Sequence, residues 1–179
     1  TLTRARVVAG APDLVAELTD VIEDILITPR DPVATRADVV EMRARLISAH
    51  GAARDRIWAL KHAHGGLMDV EFVAQAGLLC ASLAGPHAPQ DAFAALVEKG
   101  AMDAAVAETL SAAYALQSHL QHVERIALAG AFQADQAGEG LKAALARTGG
   151  ADDFAALEDH LRTLRARAAA LVDAALPAS

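Results

Sequence analysis

The densest run of side chains able to do chemistry lies at residues 61–75, Lys61-His62-Ala63-His64-Gly65-Gly66-Leu67-Met68-Asp69-Val70-Glu71-Phe72-Val73-Ala74-Gln75. A lysine can neutralise a phosphate or a carboxylate. Two nearby acids can hold a cation or accept a proton. A glycine pair lets the backbone turn tightly and approach another group. Asp69 and Glu71 fall in the first turns of a helix that opens near Leu67, where free N–H groups favour carboxylates. Gln75 follows Glu71 by one turn and shares its face. Lys61 precedes the turn and can fold back toward the acids. Lys61, Asp69 and Glu71 are therefore expected to form one polar cluster at the start of this helix. The competing reading is an ordinary helix start with capping charges and a lysine pair.

Other chemistries find less support. His62 and His64 are two apart, and His119 and His122 are three apart, but neither pair has a third ligand at metal-binding spacing. There is no glycine-rich loop followed by Lys and Ser or Thr, and no Gly-x-Ser-x-Gly elbow. A Gly-Ser followed by an Asp-x-Asp pair is also absent.

The elements that must position the cluster read as helices. Residues 1–9 are helix-compatible and stop at Gly10. Pro12 and Asp13 open a second segment, with Leu14, Leu18, Val21, Ile22 and Ile25 at helical spacing. Two prolines, Pro29 and Pro32, break it. Thr35 is the expected cap of a helix to His50, with Val39, Met42 or Arg43, Leu46 and Ile47 inward. Residues 54–64 are irregular. A helix is expected over 67–83, then a breaker at 85–89 and a short helix over 91–98. Asp103 caps a long helix to about Leu128, and 141–147 forms a short one. In the last helix Phe154, Leu157, Leu161, Leu164, Ala168, Leu171 and Ala175 alternate three and four apart. That seam can dock on a bundle or pair two chains, and docking is the expectation.

Composition agrees. Hydrophobic residues make up 54% but aromatics only 3%, because about a quarter of the chain is alanine, the best helix former. The expected fold is all-α, a bundle of six to seven helices with a long C-terminal helix. The single Cys80 excludes an intramolecular disulfide and points to a reduced, cytoplasmic setting. No stretch reads as a membrane span or a signal peptide. The net charge is −7, and it falls almost wholly after residue 61, which argues against nonspecific nucleic-acid binding. The first residue is not Met, and the opening reads as the end of a helix, as expected of a piece of a longer protein.

The pattern Lys61, Gly65, Gly66, Asp69, Glu71, Phe72, with Gln75 after it, resembles the Lys…Gly-Gly-x-x-Asp-x-Glu-Phe signature of the bacterial glutamine synthetase adenylyltransferases. The opening Leu2-Thr3-Arg4-Ala5-Arg6-Val7-Val8-Ala9-Gly10 is similar to the helix that leaves the catalytic domain in that family. Val40-Glu41-Met42-Arg43 and, more weakly, Ala113-Tyr114 with Leu120-Gln121 continue the likeness in family order. The Asp69 form of the motif and the ending Leu176-Pro177-Ala178-Ser179 look more like the second, adenylylating half. The chain departs from many members in having Ala63 and His64 where they carry further glycines, so its loop is less permissive.

The resemblance implies that residues 1–179 form one helical domain following a nucleotidyltransferase domain outside this chain, with 1–10 the end of the connecting helix. It implies a parent enzyme that uses ATP and Mg²⁺ to place AMP on glutamine synthetase or remove it, governed by a PII signal protein and glutamine. The metal-binding aspartates belong to the nucleotidyltransferase fold, so this fragment is expected to bind no cofactor and to be inactive alone. Arg4, Arg6, Lys61, Gly65, Gly66, Asp69, Glu71 and Gln75 become candidates for the cleft or the interdomain contact. The rival reading is a stand-alone helical interaction module.

Overall fold

A computed structural model describes residues 2–53, 55–85 and 88–177. Pro86 and His87 of the second breaker, and Ala178 and Ser179 of the chain's ending, lie outside the described residues. Among the described residues, a 3-10 turn at Leu2–Arg4 is followed by seven α-helices: α1 Pro12–Ile27, α2 Pro32–His50, α3 Leu67–Cys80, α4 Pro89–Glu98, α5 Ala104–Ala127, α6 Glu139–Thr148 and α7 Phe154–Ala175. No strand occurs among the described residues. The fold is thus the all-α bundle expected. No helix among the described residues is long and apolar enough to cross a membrane.

Local chemistry sets most of the boundaries. Prolines 12, 32 and 89 stand in the first turn of α1, α2 and α4, where a missing N–H costs nothing. Asp103 accepts from the amides of Ala105 and Val106 to start α5, and Asp153 accepts from Ala156 to start α7. Asp31, not Thr35, caps α2 through the amide of Val33. Pro32 can occupy the position after the cap, so the helix begins before Thr35. α3 ends at Cys80 rather than 83. Ser82 adopts a left-handed φ of 51°, and the amide of Leu83 donates to the Leu78 carbonyl, which closes the helix.

The opening differs from expectation. Only Leu2–Arg4 is helical, as a single 3-10 turn, and residues 5–8 make no helix. So short a segment gains too few hydrogen bonds to offset its nucleation cost, and the adjacent Val7 and Val8 are β-branched.

α3 lies at the centre of the bundle, against α2, α4, α5 and α7, and the most extensive pairing is α5 with α7. Two cores result. Val70, Val73, Phe93, Leu96, Leu110 and Val172 anchor one. Leu60, Leu120, Phe132, Leu145, Leu157 and Leu161 anchor the other. Each such leucine is worth about 1.5–3 kcal/mol when withdrawn from water. The α7 seam is spent inside this bundle, with Leu157, Leu161 and Ala168 fully buried. The irregular segment before α3 is fastened to α7 by Arg165, whose Nη1 donates to the Ile57 carbonyl at 2.6 Å, and by Trp58, whose indole N–H donates to Glu158 at 2.7 Å.

α1 stands apart. It packs mainly on the N-terminal turn, with Leu26 as its one buried residue. Leu14, Leu18, Val21 and Ile25, which recur at helical spacing, are 57, 51, 48 and 42% exposed.

Candidate functional site

Asp69 and Glu71 do not share a cluster. Residues two apart on an α-helix point in nearly opposite directions, about 200° around the axis, and the bundle uses both directions.

Asp69 points into the bundle and is 4% exposed. Its Oδ1 accepts from Arg43 Nε at 2.9 Å, and its Oδ2 accepts from Arg43 Nη2 at 3.1 Å and from the amide of Gly65 at 3.0 Å. Arg43 also donates to Asp173 on α7 at 3.1 Å, and His64 reaches the same Asp173 carboxylate. Burial opposes ionisation of Asp173, but the bonds and charges of His64 and Arg43 outweigh it and hold its pKa below the ordinary value. This network joins α2, α3, α7 and the loop between α2 and α3. It is a structural clasp, so the expected grouping of Asp69 with Lys61 and Glu71 is corrected.

The glycine pair belongs to the clasp too. Gly65 has φ +71°, and a Cβ there would lie 2.5 Å from the Arg165 carbonyl and 2.7 Å from the Ala169 amide nitrogen. At Gly66 a Cβ would meet the Leu60 carbonyl at 2.7 Å. The glycines let the loop lie against the backbone of α7 and fold on itself. The buried Gln117 of α5 donates its amide to the Gly65 carbonyl at 3.1 Å, fixing the loop from the other side.

Glu71 points the opposite way, toward α5. Arg4 Nη1 donates to its Oε2 at 2.7 Å, and the Tyr114 hydroxyl donates to its Oε1 at 3.2 Å. Burial, together with the adjacent Glu71 charge, pushes the Tyr114 phenol up. Beside this carboxylate opens a cleft of about 300 Å³, lined by Arg4, Lys61, Leu67, Met68, Glu71, Tyr114, Ser118, Gln121, His122 and Arg125. The α5 members fall at positions 114, 118, 121, 122 and 125, one face of the helix.

The remaining candidates scatter. Gln75 shares the Glu71 face but lines a crevice barely large enough for water, beside Thr3 and Pro89. Arg6 lines a different hollow, against Thr19, Ile22 and Glu23 of α1. Thus the structure brings Lys61, Glu71 and Arg4 to one cleft, and places Asp69, Gly65 and Gly66 behind it and Arg6 elsewhere. Ser118, His122 and Arg125 were not singled out for this site; with Tyr114 and Gln121 they form a polar stripe at three- and four-residue spacing along α5. His62 and His64 diverge: His62 stacks on His50 with ring centroids 3.9 Å apart, while His64 turns to Asp173. Burial first, then the neighbouring His50 and Lys61, lowers the His62 pKa. No group of three or more His, Cys, Asp or Glu able to hold a metal occurs among the described residues.

Residues 35–174 match the family model described as GlnD PII-uridylyltransferase. The chain is 38% identical over 165 residues, 90% of its length, to the bifunctional glutamine synthetase adenylyltransferase/adenylyl-removing enzyme of Bradyrhizobium sp. (strain BTAi1 / ATCC BAA-1182), of which it covers 16%. It is 37% identical over 177 residues to the enzyme of that name from Caulobacter vibrioides (strain ATCC 19089 / CIP 103742 / CB 15), covering 97% of the chain and 18% of the relative. With the one from Rhodopseudomonas palustris (strain BisB5) the identity is 32% over 174 residues, 95% of the chain and 17% of the relative. The chain therefore spans less than a fifth of the length of these relatives. No solved structure matches it.

Proposed function

The chain belongs to the family described as GlnD PII-uridylyltransferase, and from that premise we propose that it is a helical accessory domain of a bifunctional enzyme that adenylylates and deadenylylates glutamine synthetase. The similarity along 90–97% of the chain to one stretch of such enzymes supports the reading. In it, a nucleotidyltransferase domain does the chemistry with ATP and Mg²⁺, and this domain completes its cleft or its regulatory contacts. Glutamine synthetase and a PII signal protein are the partners, in the cytoplasm. The adenylylating half is the better fit, from the Asp69 form of the motif.

The cleft is the observation that carries the reading. Lys61, Arg4, Glu71 and the polar face of α5 converge from three separate segments, while Asp69 and the glycines hold the loop that presents Lys61. A charged concavity braced from behind is suited to orienting a ligand or a neighbouring domain. The half-exposed stripe on α1 suits contact with a further part of the same protein. A stand-alone interaction module would use that stripe but leaves the cleft without a role.

The test is adenylylation of glutamine synthetase by the full-length enzyme, followed as labelled AMP incorporation. Lys61→Ala and Arg125→Ala should each lower the rate at least about tenfold, or 1.4 kcal/mol of transition-state stabilisation, with thermal unfolding unchanged. Rates equal to those of the parent would remove the cleft from the reaction. The 179-residue chain alone should incorporate no AMP, and incorporation above a no-protein control would overturn the accessory role.

A further inference from the structure

We propose that the cleft between α3 and α5 is a binding site for an oligophosphate anion, with Lys61 and Arg125 as its principal contacts. This deepens the reading of the cleft given above by naming the chemistry of what it holds.

The charge distribution carries the proposal. The protein as a whole is acidic, at −7, yet this cleft is lined by Arg4, Lys61, Arg125 and the imidazole of His122 against one carboxylate, Glu71. That carboxylate is already committed. Arg4 and the Tyr114 hydroxyl hold it, and its side chain is 12% exposed. Lys61, His122 and Arg125 make no ion pair or side-chain hydrogen bond with any described residue. Cations collected in one concavity of an acidic protein, from a loop and a helix, repel one another unless an anion joins them.

The donor set favours phosphoryl oxygens. Arginine and lysine offer charge-assisted bonds, the arginine as a planar fork, and Ser118 and Gln121 add neutral donors on the same wall. A cleft of about 300 Å³ stands at the small end of ligand sites, which suits a chain of phosphates better than a peptide. The apolar wall is limited to Leu67, Met68 and the ring of Tyr114.

The experiment is isothermal titration of the 179-residue chain with inorganic pyrophosphate, inorganic tripolyphosphate and ATP without metal, and with a glutamate-rich peptide as a carboxylate control. Pyrophosphate or tripolyphosphate should bind, with affinity falling as salt rises. Lys61→Ala and Arg125→Ala should each weaken binding by roughly tenfold. Lys99→Ala, on an exposed position outside the cleft lining, should not. ATP binding no tighter than tripolyphosphate identifies the phosphate chain alone as the ligand; tighter binding identifies a nucleotide whose base also makes contact. No binding at millimolar concentration, equal binding of the peptide, or binding unchanged in both cleft variants overturns the proposal. Absence of binding with full-length activity still dependent on Lys61 would sink this inference and leave the accessory role standing. Binding with activity unaffected would leave this inference standing and remove the cleft from the reaction.

Discussion

Arg43 on α2 and Asp69 on α3 form a two-pronged ion pair, Nε to Oδ1 at 2.9 Å and Nη2 to Oδ2 at 3.1 Å, with both side chains under a tenth exposed. The pair does two jobs. It joins two helices, and through the second bond to the Gly65 amide it fixes the loop that carries Lys61.

A buried ion pair is costly to break from one side, because the remaining charge loses its partner without regaining water. Asp69→Asn is expected to destabilise the chain by about 2–3 kcal/mol, toward the lower end because Asp173 still pairs with Arg43. For a chain of this size that is a fall in melting temperature of roughly 4–12 °C, measurable by circular dichroism. A melting point within about a degree of the parent would show that the clasp contributes little.

Gly65 and Gly150 separate two costs. Both have left-handed φ, +71° and +68°. At Gly150 a Cβ meets nothing within 4 Å, so Gly150→Ala should cost only the backbone strain, about 1 kcal/mol. At Gly65 the added atom would also press on the backbone of α7, which cannot move without disturbing the core. Gly65→Ala should therefore cost at least about 2 kcal/mol more than Gly150→Ala, read by denaturant unfolding. Equal costs would mean that the loop does not seat on α7.

Glu124 gives a pH test. It lies on α5 with Oε1 buried and without a hydrogen-bond partner among the described residues. Burial pushes its carboxyl up from 4.5 to about 7. Between those values the folded chain keeps a proton that the unfolded chain has released, so stability falls as pH rises through the window and levels off above it. Glu124→Gln keeps the shape without the charge. It should match the parent near pH ~4 and exceed it by on the order of 2 kcal/mol near pH ~8, by denaturant unfolding at both. A difference that stays constant with pH would refute the burial of this ionisation.

Much of the fold was legible in the sequence because its causes are local. Alanine content, Pro12, Pro32 and Pro89 as breakers and first-turn residues, and Asp103 as a cap act within a few residues of themselves. The three-and-four spacing from Phe154 to Ala175 announced α7. The run from Lys61 to Phe72 was also visible as the place to look. What local rules missed were competitions between neighbours, such as Asp31 capping α2 before Thr35 and the opening turn that stops at Arg4.

Roles were decided only by tertiary structure. The sequence determined that Asp69 and Glu71 lie on one helix, and helical geometry that they diverge, but only the packing of α2 and α7 on one side and α5 on the other made one a buried clasp and the other a cleft wall. The same holds for Gly65, whose need is set by a backbone about a hundred residues away. It holds for Leu14, Leu18, Val21 and Ile25, whose apolar spacing formed α1 without securing a partner for that face. The physical reason is shared. Periodicity fixes which residues lie on a common face, whereas the orientation of that face depends on contacts distant in the chain.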